Sequence, residues 1–249
     1  MSFAIGTSDS RALPDARMNS SPLEHILICG DTHGRFDHLA RAAEIWQARA
    51  LIFTGDLAPA QALEKELADL PADTEVWFIH GNHDTDSDEG FDSLFRSALG
   101  KRNLHGRVVD VAGVRIAGLG GVFRQQIWMP PADPAHIGRN EYLRHTGKGC
   151  RWRGGLPRKH HSSIFPEDVN TLARQRADIL ITHEAPSCHK HGFHAIDDLA
   201  RAMQVRSIFH GHHHETHDYV LEGMLDANHF SAYGVALHGI RRADGMLIF

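Results

Sequence analysis

The sequence predicts an α/β fold, and two observations carry that reading. From His25 onward, short apolar runs lead through glycine-containing loops into helix-like stretches: "HILIC" through "GDTHG" to "RFDHLARAAEIWQA", "ALIFT" through "GDLAP" to "AQALEKELADL", "EVWFIH" through "GNHD" to "GFDSLFRSAL". These runs are apolar between their end residues, as expected of strands buried on both faces in a sheet covered by helices.

After Gly100 the texture changes to short alternating runs, "NLHGRVVDVAGVRIAGLGGV", which predict hairpin strands. Residues from about 123 to 165 show little periodicity and read as an insertion. Within it the segment from Arg139 to His161 sets Arg139, Arg144, Lys148, Arg151, Arg153, Arg158 and Lys159 against a single acid, Glu141, and makes a local basic patch. The alternation then resumes with a helix "PEDVNTLARQRA", a strand "DILIT" before "HEAPS", a helix "AIDDLARAMQ" and a strand "SIFH" before "GHHHET". Three further strand-like runs, "YVLEG", "SAYGVALHGI" and "MLIF", close the pattern. Residues 1–22, rich in Ser, Asp, Arg and Ala without periodicity, read as a loose extension, and 23–249 as a single domain carrying the basic insertion.

Composition narrows the function. With 249 residues and 42% apolar content the chain can build a proper core. A formal charge of -5 gives no global basic face, so nucleic acid is a possible partner only through the local patch. Cys29, Cys150 and Cys188 are too few and too scattered for a disulfide framework or a thiolate metal site, which suits a reducing compartment, and the cytoplasm is expected. No apolar run approaches the roughly 20 residues that span a bilayer, and the N-terminal residues lack a charged-then-apolar signal pattern. The anomaly is 21 histidines against 3 tyrosines, far more than one metal site uses, so position must separate ligands from the rest.

Five loops stand out, each following a predicted strand: Asp31-Thr-His33, Gly55-Asp56, Gly81-Asn82-His83-Asp84, Thr182-His183, and Gly211 through His214. In an open α/β sheet the ligand site lies beyond the carboxyl ends of the strands, so these loops should converge. A Gly-Asp pair alone is an ordinary turn. Five such loops at strand ends are a mixed oxygen and nitrogen ligand set, suited to Mn, Fe or Zn.

The order and wording of "GDTHG", "GNHD" and "GHHHE" resemble the calcineurin-like metallophosphoesterases, over Ile26 to about Glu215. The resemblance implies a four-layer αββα sandwich, two mixed sheets flanked by helices. It implies that Asp31, His33 and His214 hold one metal, that Asn82, His183 and His212 hold another, and that Asp56 bridges them. The implied activity is hydrolysis of a phosphomonoester or phosphodiester by attack of a metal-bridging hydroxide. His83, beside Asn82, is placed to protonate the leaving oxygen, and Asp84 to hold its imidazole in the useful tautomer. His210 and His213 flank ligand positions and are not expected to bind, because neighbouring strand residues face opposite ways. His189, His191 and His194 read as solvated loop residues, with the active-site rim as the other reading.

Phosphate contacts are sought in Arg35 and, in the insertion, Arg124, Arg151, Arg153 and Lys159. The serine/threonine protein phosphatases and the diadenosine tetraphosphate hydrolases carry an acid and an arginine soon after Gly-Asp, where this chain has "GDLAPAQ", which speaks against both activities. Short phrases, "GGVF" and "HEAP", are similar to parts of the RNA lariat debranching enzymes. Two competing readings are a non-catalytic metal-binding scaffold of the same fold and a nuclease-type phosphodiesterase using the basic insertion. The ligand strings of metallo-β-lactamase-like enzymes and zincins are absent from the sequence.

Overall fold

The computed structural model describes residues 21–225 and 230–249. Residues 1–20 of the expected extension lie outside them. Its last two residues already belong to the fold, because Ser21 caps a 3-10 turn at Pro22–His25 and exchanges bonds with Glu24 in a capping box.

Among the described residues ten strands form two mixed sheets. In the first, β1 (Ile26–Cys29), β2 (Ala50–Phe53) and β3 (Glu75–Phe78) run parallel, and β10 (Ile240–Arg242) lies antiparallel against β1. In the second, β5 (Val114–Leu119), β6 (Ile179–Thr182), β7 (Ser207–His210) and β9 (Ser231–Gly234) run parallel. It is edged by the antiparallel strands β4 (Arg107–Val111) and β8 (His217–Asp218).

Alternation along the strands stacks the sheets. Ile26, Ile28, Ala50, Ile52, Trp77 and Ile79 meet Ile116, Ile179, Ile181 and Phe209 in the core between them. The opposite faces meet helices. Leu27, Cys29, Leu51, Phe53 and Phe78 pack on α1 (Leu39–Ile45), α2 (Leu63–Glu66) and α3 (Asp88–Phe95). Ala117, Leu119, Leu180 and Ile208 pack on α5 (Pro166–Leu172) and α6 (His194–Met203). The resulting order is helix, sheet, sheet, helix.

Local chemistry sets the helix limits. Ser87 caps α3 through its hydroxyl on the Gly90 N–H, with Asp88 and Glu89 in the first turn where the helix dipole favours them. Pro166 opens α5, and the Asp168 carboxylate reaches back to the Phe165 N–H at 2.9 Å. The expected helix through "AQALEKELADL" is only one α-helical turn, tightening after Glu66 to i to i+3 bonds such as Leu70 N–H on Leu67 C=O.

Two other expectations change. The insertion is not featureless: it contains α4 (Arg139–His145), 3-10 turns at Lys148–Cys150 and Arg158–Ser162, and an apolar cluster of Ile127, Leu156 and Phe165. "YVLEG" is a turn rather than a strand, with Gly223 in the left-handed region accepting the bend. "MLIF" folds back on β10 through Ile248 N–H to Ile240 C=O.

Candidate metal centre

All five chemistry-bearing loops leave the carboxyl ends of parallel strands: those after β1, β2 and β3 in one sheet, and after β6 and β7 in the other. Their backbones bend sharply to aim inward. His33, Asp56, His212 and His214 have φ of 44°, 47°, 68° and 58°, a region costly for any residue with a side chain. The glycines between them are needed for closeness. A Cβ on Gly211 would sit 2.1 Å from Asp31 Oδ1, and one on Gly81 would sit 2.2 Å from Asp56 Oδ1.

Two groups of ligand atoms result: Asp31 with His33 and His214, and Asp56 with His183 and His212. His214 Nε2 lies 3.3 Å from Asp31 Oδ2 and 3.2 Å from His33 Nε2. His183 Nε2 lies 3.3 Å from Asp56 Oδ2 and 3.2 Å from Asn82 Oδ1, which brings Asn82 to the second group. Asp56 Oδ2 is also 3.9 Å from His33 Nε2, so this one oxygen faces both groups. Ligands about 2.0–2.2 Å from a tetrahedral cation are themselves roughly 3.3–3.6 Å apart, and the edges of 3.2 and 3.3 Å within each group come close to that spacing.

Hydrogen bonds from the backbone fix the orientation. The His183 Nδ1–H donates to Thr54 C=O at 2.8 Å, which turns Nε2 to the centre. Asp56 Oδ1 accepts the His83 N–H, and Asp31 Oδ2 accepts the His212 N–H, each at 2.8 Å. Burial lowers the His183 pKa, but the Asp56 carboxylate more than offsets this and pushes it up to about 10. Burial alone would raise the Asp56 pKa; His183 and the His83 N–H instead hold it well below the usual carboxylate range.

His83 stands over this cluster, half exposed, with its ring 5.5 Å from that of His33. The expected role of Asp84 beside it is corrected. Asp84 is buried, and its two oxygens accept the Ala58 and Gly81 N–H groups at 2.8 Å each, tying the loop after β2 to that after β3. Burial raises its pKa to about 7. It is Asp86 that meets the ring, with Oδ2 2.6 Å from His83 Nδ1. Sequence reasoning misses Asp86 because an aspartate two residues past the motif carries no distinguishing signal until the 3-10 turn at His83–Thr85 brings it round. It misses Thr54 because this residue contributes a carbonyl, which any residue type offers.

Of the five arginine and lysine candidates, one lies near enough to the centre to feel its charge. Arg124 is half-buried, donates to Ser162 Oγ at 3.3 Å, keeps a buried Nε without a partner, and feels the carboxylates of Asp86, Glu184 and Asp56. Glu184, whose pKa burial raises to about 7, accepts the neighbouring Phe123 N–H and so fixes that loop. The others are engaged elsewhere or exposed. Arg35 pairs with Asp37, Arg151 donates to Leu143 C=O, Arg153 pairs with Asp88 and Asp92, and Lys159 is exposed. His210 uses its ring on Tyr219 Oη and Gly211 C=O, and His213 stacks on His189 with centroids 4.0 Å apart. His191 and His194 are exposed, but His189 is buried, contrary to a solvated loop position.

Residues 24–216 match the family model described as Calcineurin-like phosphoesterase, and the chain belongs to that family. An uncharacterized protein of Haemophilus influenzae is 48% identical over 194 residues, covering 78% of this chain and 85% of that one. The crystal structure of TT1561 of Thermus thermophilus superposes with a TM-score of 0.51 at 14% identity, over 88% of this chain and 94% of that one, a likeness of fold.

Proposed function

We propose that the protein hydrolyses small phosphate esters with a pair of transition-metal ions, Mn, Fe or Zn. One observation carries the reading: Asp56 Oδ2 faces His183 on one side and His33 on the other, joining two three-residue ligand groups through a single carboxylate. Asp31, His33 and His214 would hold one ion, Asn82, His183 and His212 the other, with Asp56 between them. Two cations about 3.5–4 Å apart lower the pKa of a water and neutralise phosphoryl oxygens.

The chain's own side chains would do the rest. His83, its Nδ1 held by Asp86, donates a proton from the other ring nitrogen to the departing oxygen. Arg124, whose guanidinium feels the Asp56 and Asp86 carboxylates, would offer a donor for a phosphoryl oxygen.

Substrate size and charge follow from the surroundings. A cleft of about 460 Å³ beside His33 and His83 is lined by Ala58, Pro59, Asp86 and Glu89. Its acidic lip suits a compact neutral or cationic leaving group and repels a polyanion. The nuclease reading weakens further because two of the insertion's arginines, Arg153 and Arg158, are already paired with α3.

The test is the purified chain reloaded with Mn²⁺ and assayed on p-nitrophenyl phosphate, its bis-ester, cyclic nucleotides, dinucleoside polyphosphates and short single-stranded DNA and RNA. Turnover of the small esters, lost in Asp56→Asn, is expected. Preference for the oligonucleotides would sink the small-substrate reading, and two bound metals with no turnover of any substrate would favour the scaffold.

A further inference from the structure

A second meeting of ligand atoms lies beside the candidate centre, in residues that the chemistry above does not use. Glu215 Oε2 is 3.0 Å from His217 Nε2 and 3.5 Å from His189 Nε2. His189 is 5% exposed, and its Nε2 is buried with no hydrogen-bond partner. His217 is oriented from behind by Glu222, whose Oε2 lies 2.7 Å from Nδ1. With that proton on Nδ1, the Nε2 lone pair of His217 points at a carboxylate oxygen. Two lone-pair atoms at 3.0 Å require a cation or a second proton between them.

The separations match the edges of a coordination polyhedron with ligands at about 2.0–2.2 Å, and a carboxylate holding the distal nitrogen of a histidine ligand is the usual support of such sites. Lys190 Nζ occupies Glu215 Oε1 at 3.1 Å, which leaves Oε2 as the oxygen turned to the two imidazoles. His213 stacked on His189, and Tyr219 stacked on His217 at 4.9 Å, wall the pocket with rings. One contact opposes metal: the His191 N–H donates to His189 Nδ1 at 3.2 Å and favours the tautomer with its proton on Nε2. That proton must leave, or shift to Nδ1, for a cation to enter.

We propose that His189, Glu215 and His217 form a third, mononuclear metal site for zinc or a similar borderline divalent cation. Two nitrogens and one oxygen, with a fourth position left to water, suit that class of ion. Its place in the chain gives it a role. His189 follows β6, six residues beyond His183, while Glu215 follows His212 and His214 on the loop after β7 and His217 opens β8 at the end of that loop. A cation there clamps together the two loops that bring three of the candidate ligands.

The test counts metal. The full chain is stripped with chelator, reloaded with Zn²⁺, desalted and measured by elemental analysis. His217→Ala and His189→Ala are each expected to hold about one zinc fewer per chain than the unaltered protein, with unchanged circular dichroism. Glu222→Gln, which keeps every ligand, is expected to weaken zinc binding at this site roughly 10–100-fold. The difference between variants carries the result, so it stands apart from whether the candidate centre binds two ions. Asp56→Asn probes that centre separately, and the zinc lost on adding His217→Ala to it should again be about one. Equal zinc in folded His217→Ala and the unaltered chain overturns the proposal and makes the cluster a proton-held tie.

Discussion

At the scale of single residues, His83 and His160 show what a partner does to an imidazole. His83 is held by Asp86, not by Asp84, and the three can be separated by substitution. His83→Asn is expected to lower kcat roughly 10²–10⁴-fold on alkyl phosphates, whose leaving oxygen needs a proton, and far less on p-nitrophenyl phosphate. Asp86→Asn should show a weaker version of the same leaving-group dependence. Asp84→Asn should lower thermal stability without that dependence. Steady-state kinetics across a leaving-group series with bound metal counted beside it checks all three.

His160 is buried, with Nδ1 2.9 Å from Ser163 Oγ. Burial, aided by Lys159 and Arg124, lowers its pKa to about 4. Because the folded state disfavours the proton, its contribution is complete above the unfolded pKa near 6.5 and is lost as pH falls from there towards 4. Between about pH 6.5 and pH 5 the loss should be roughly 1–2 kcal/mol. Denaturant unfolding of the unaltered chain and His160→Gln at both pH values should show a smaller drop for the variant.

Among elements, the loops and the insertion behave differently. Gly211→Ala puts a methyl against Asp31 Oδ1 and Thr54 Oγ1, so the loop after β7 must back away and carry His212 and His214 with it. Loss of metal from the candidate centre and of most turnover is expected with folding intact, read by elemental analysis and circular dichroism. The insertion is anchored by ion pairs: Arg153 on Asp88 and Asp92, Arg158 on Asp88, and Arg139 on Asp168 and Glu167. Asp88→Ala removes a partner shared by Arg153, Arg158 and Trp152 Nε1, and should speed limited proteolysis within 147–159 while leaving the sheets protected.

These elements also show where sequence reading reaches and stops. The ligand loops are legible because their residue types are rare together and strand ends converge by topology. The parallel strands are legible as unbroken apolar runs. The order of the insertion is not, because it rests on charge pairs with α3, 61 to 70 residues away along the chain, which no local pattern records. Its arginines look free for substrate in the sequence for the same reason. Asp84 and Asp86 are easily exchanged because both sit close behind His83, and only the 3-10 geometry decides which carboxylate reaches the ring.

For the whole molecule, the packing of one sheet on the other sets how rigidly the two halves of the candidate centre are held. Phe209 is fully buried in the core between them, on the strand that leads to His212 and His214. Phe209→Ala is expected to cost about 3–5 kcal/mol, measured by denaturant unfolding. No helix among the described residues is long and apolar enough to cross a membrane.

The pairing of β1 with β10 joins Leu27 to Arg242 and Cys29 to Ile240. A ribosome delivers β1 and its Asp31 loop well before β10, the strand that covers β1's outer edge. Synthesis and closure therefore run in opposite order along this sheet. Until Ile240–Arg242 arrives, β1 has an open edge, and the nascent chain has to shelter it by other means.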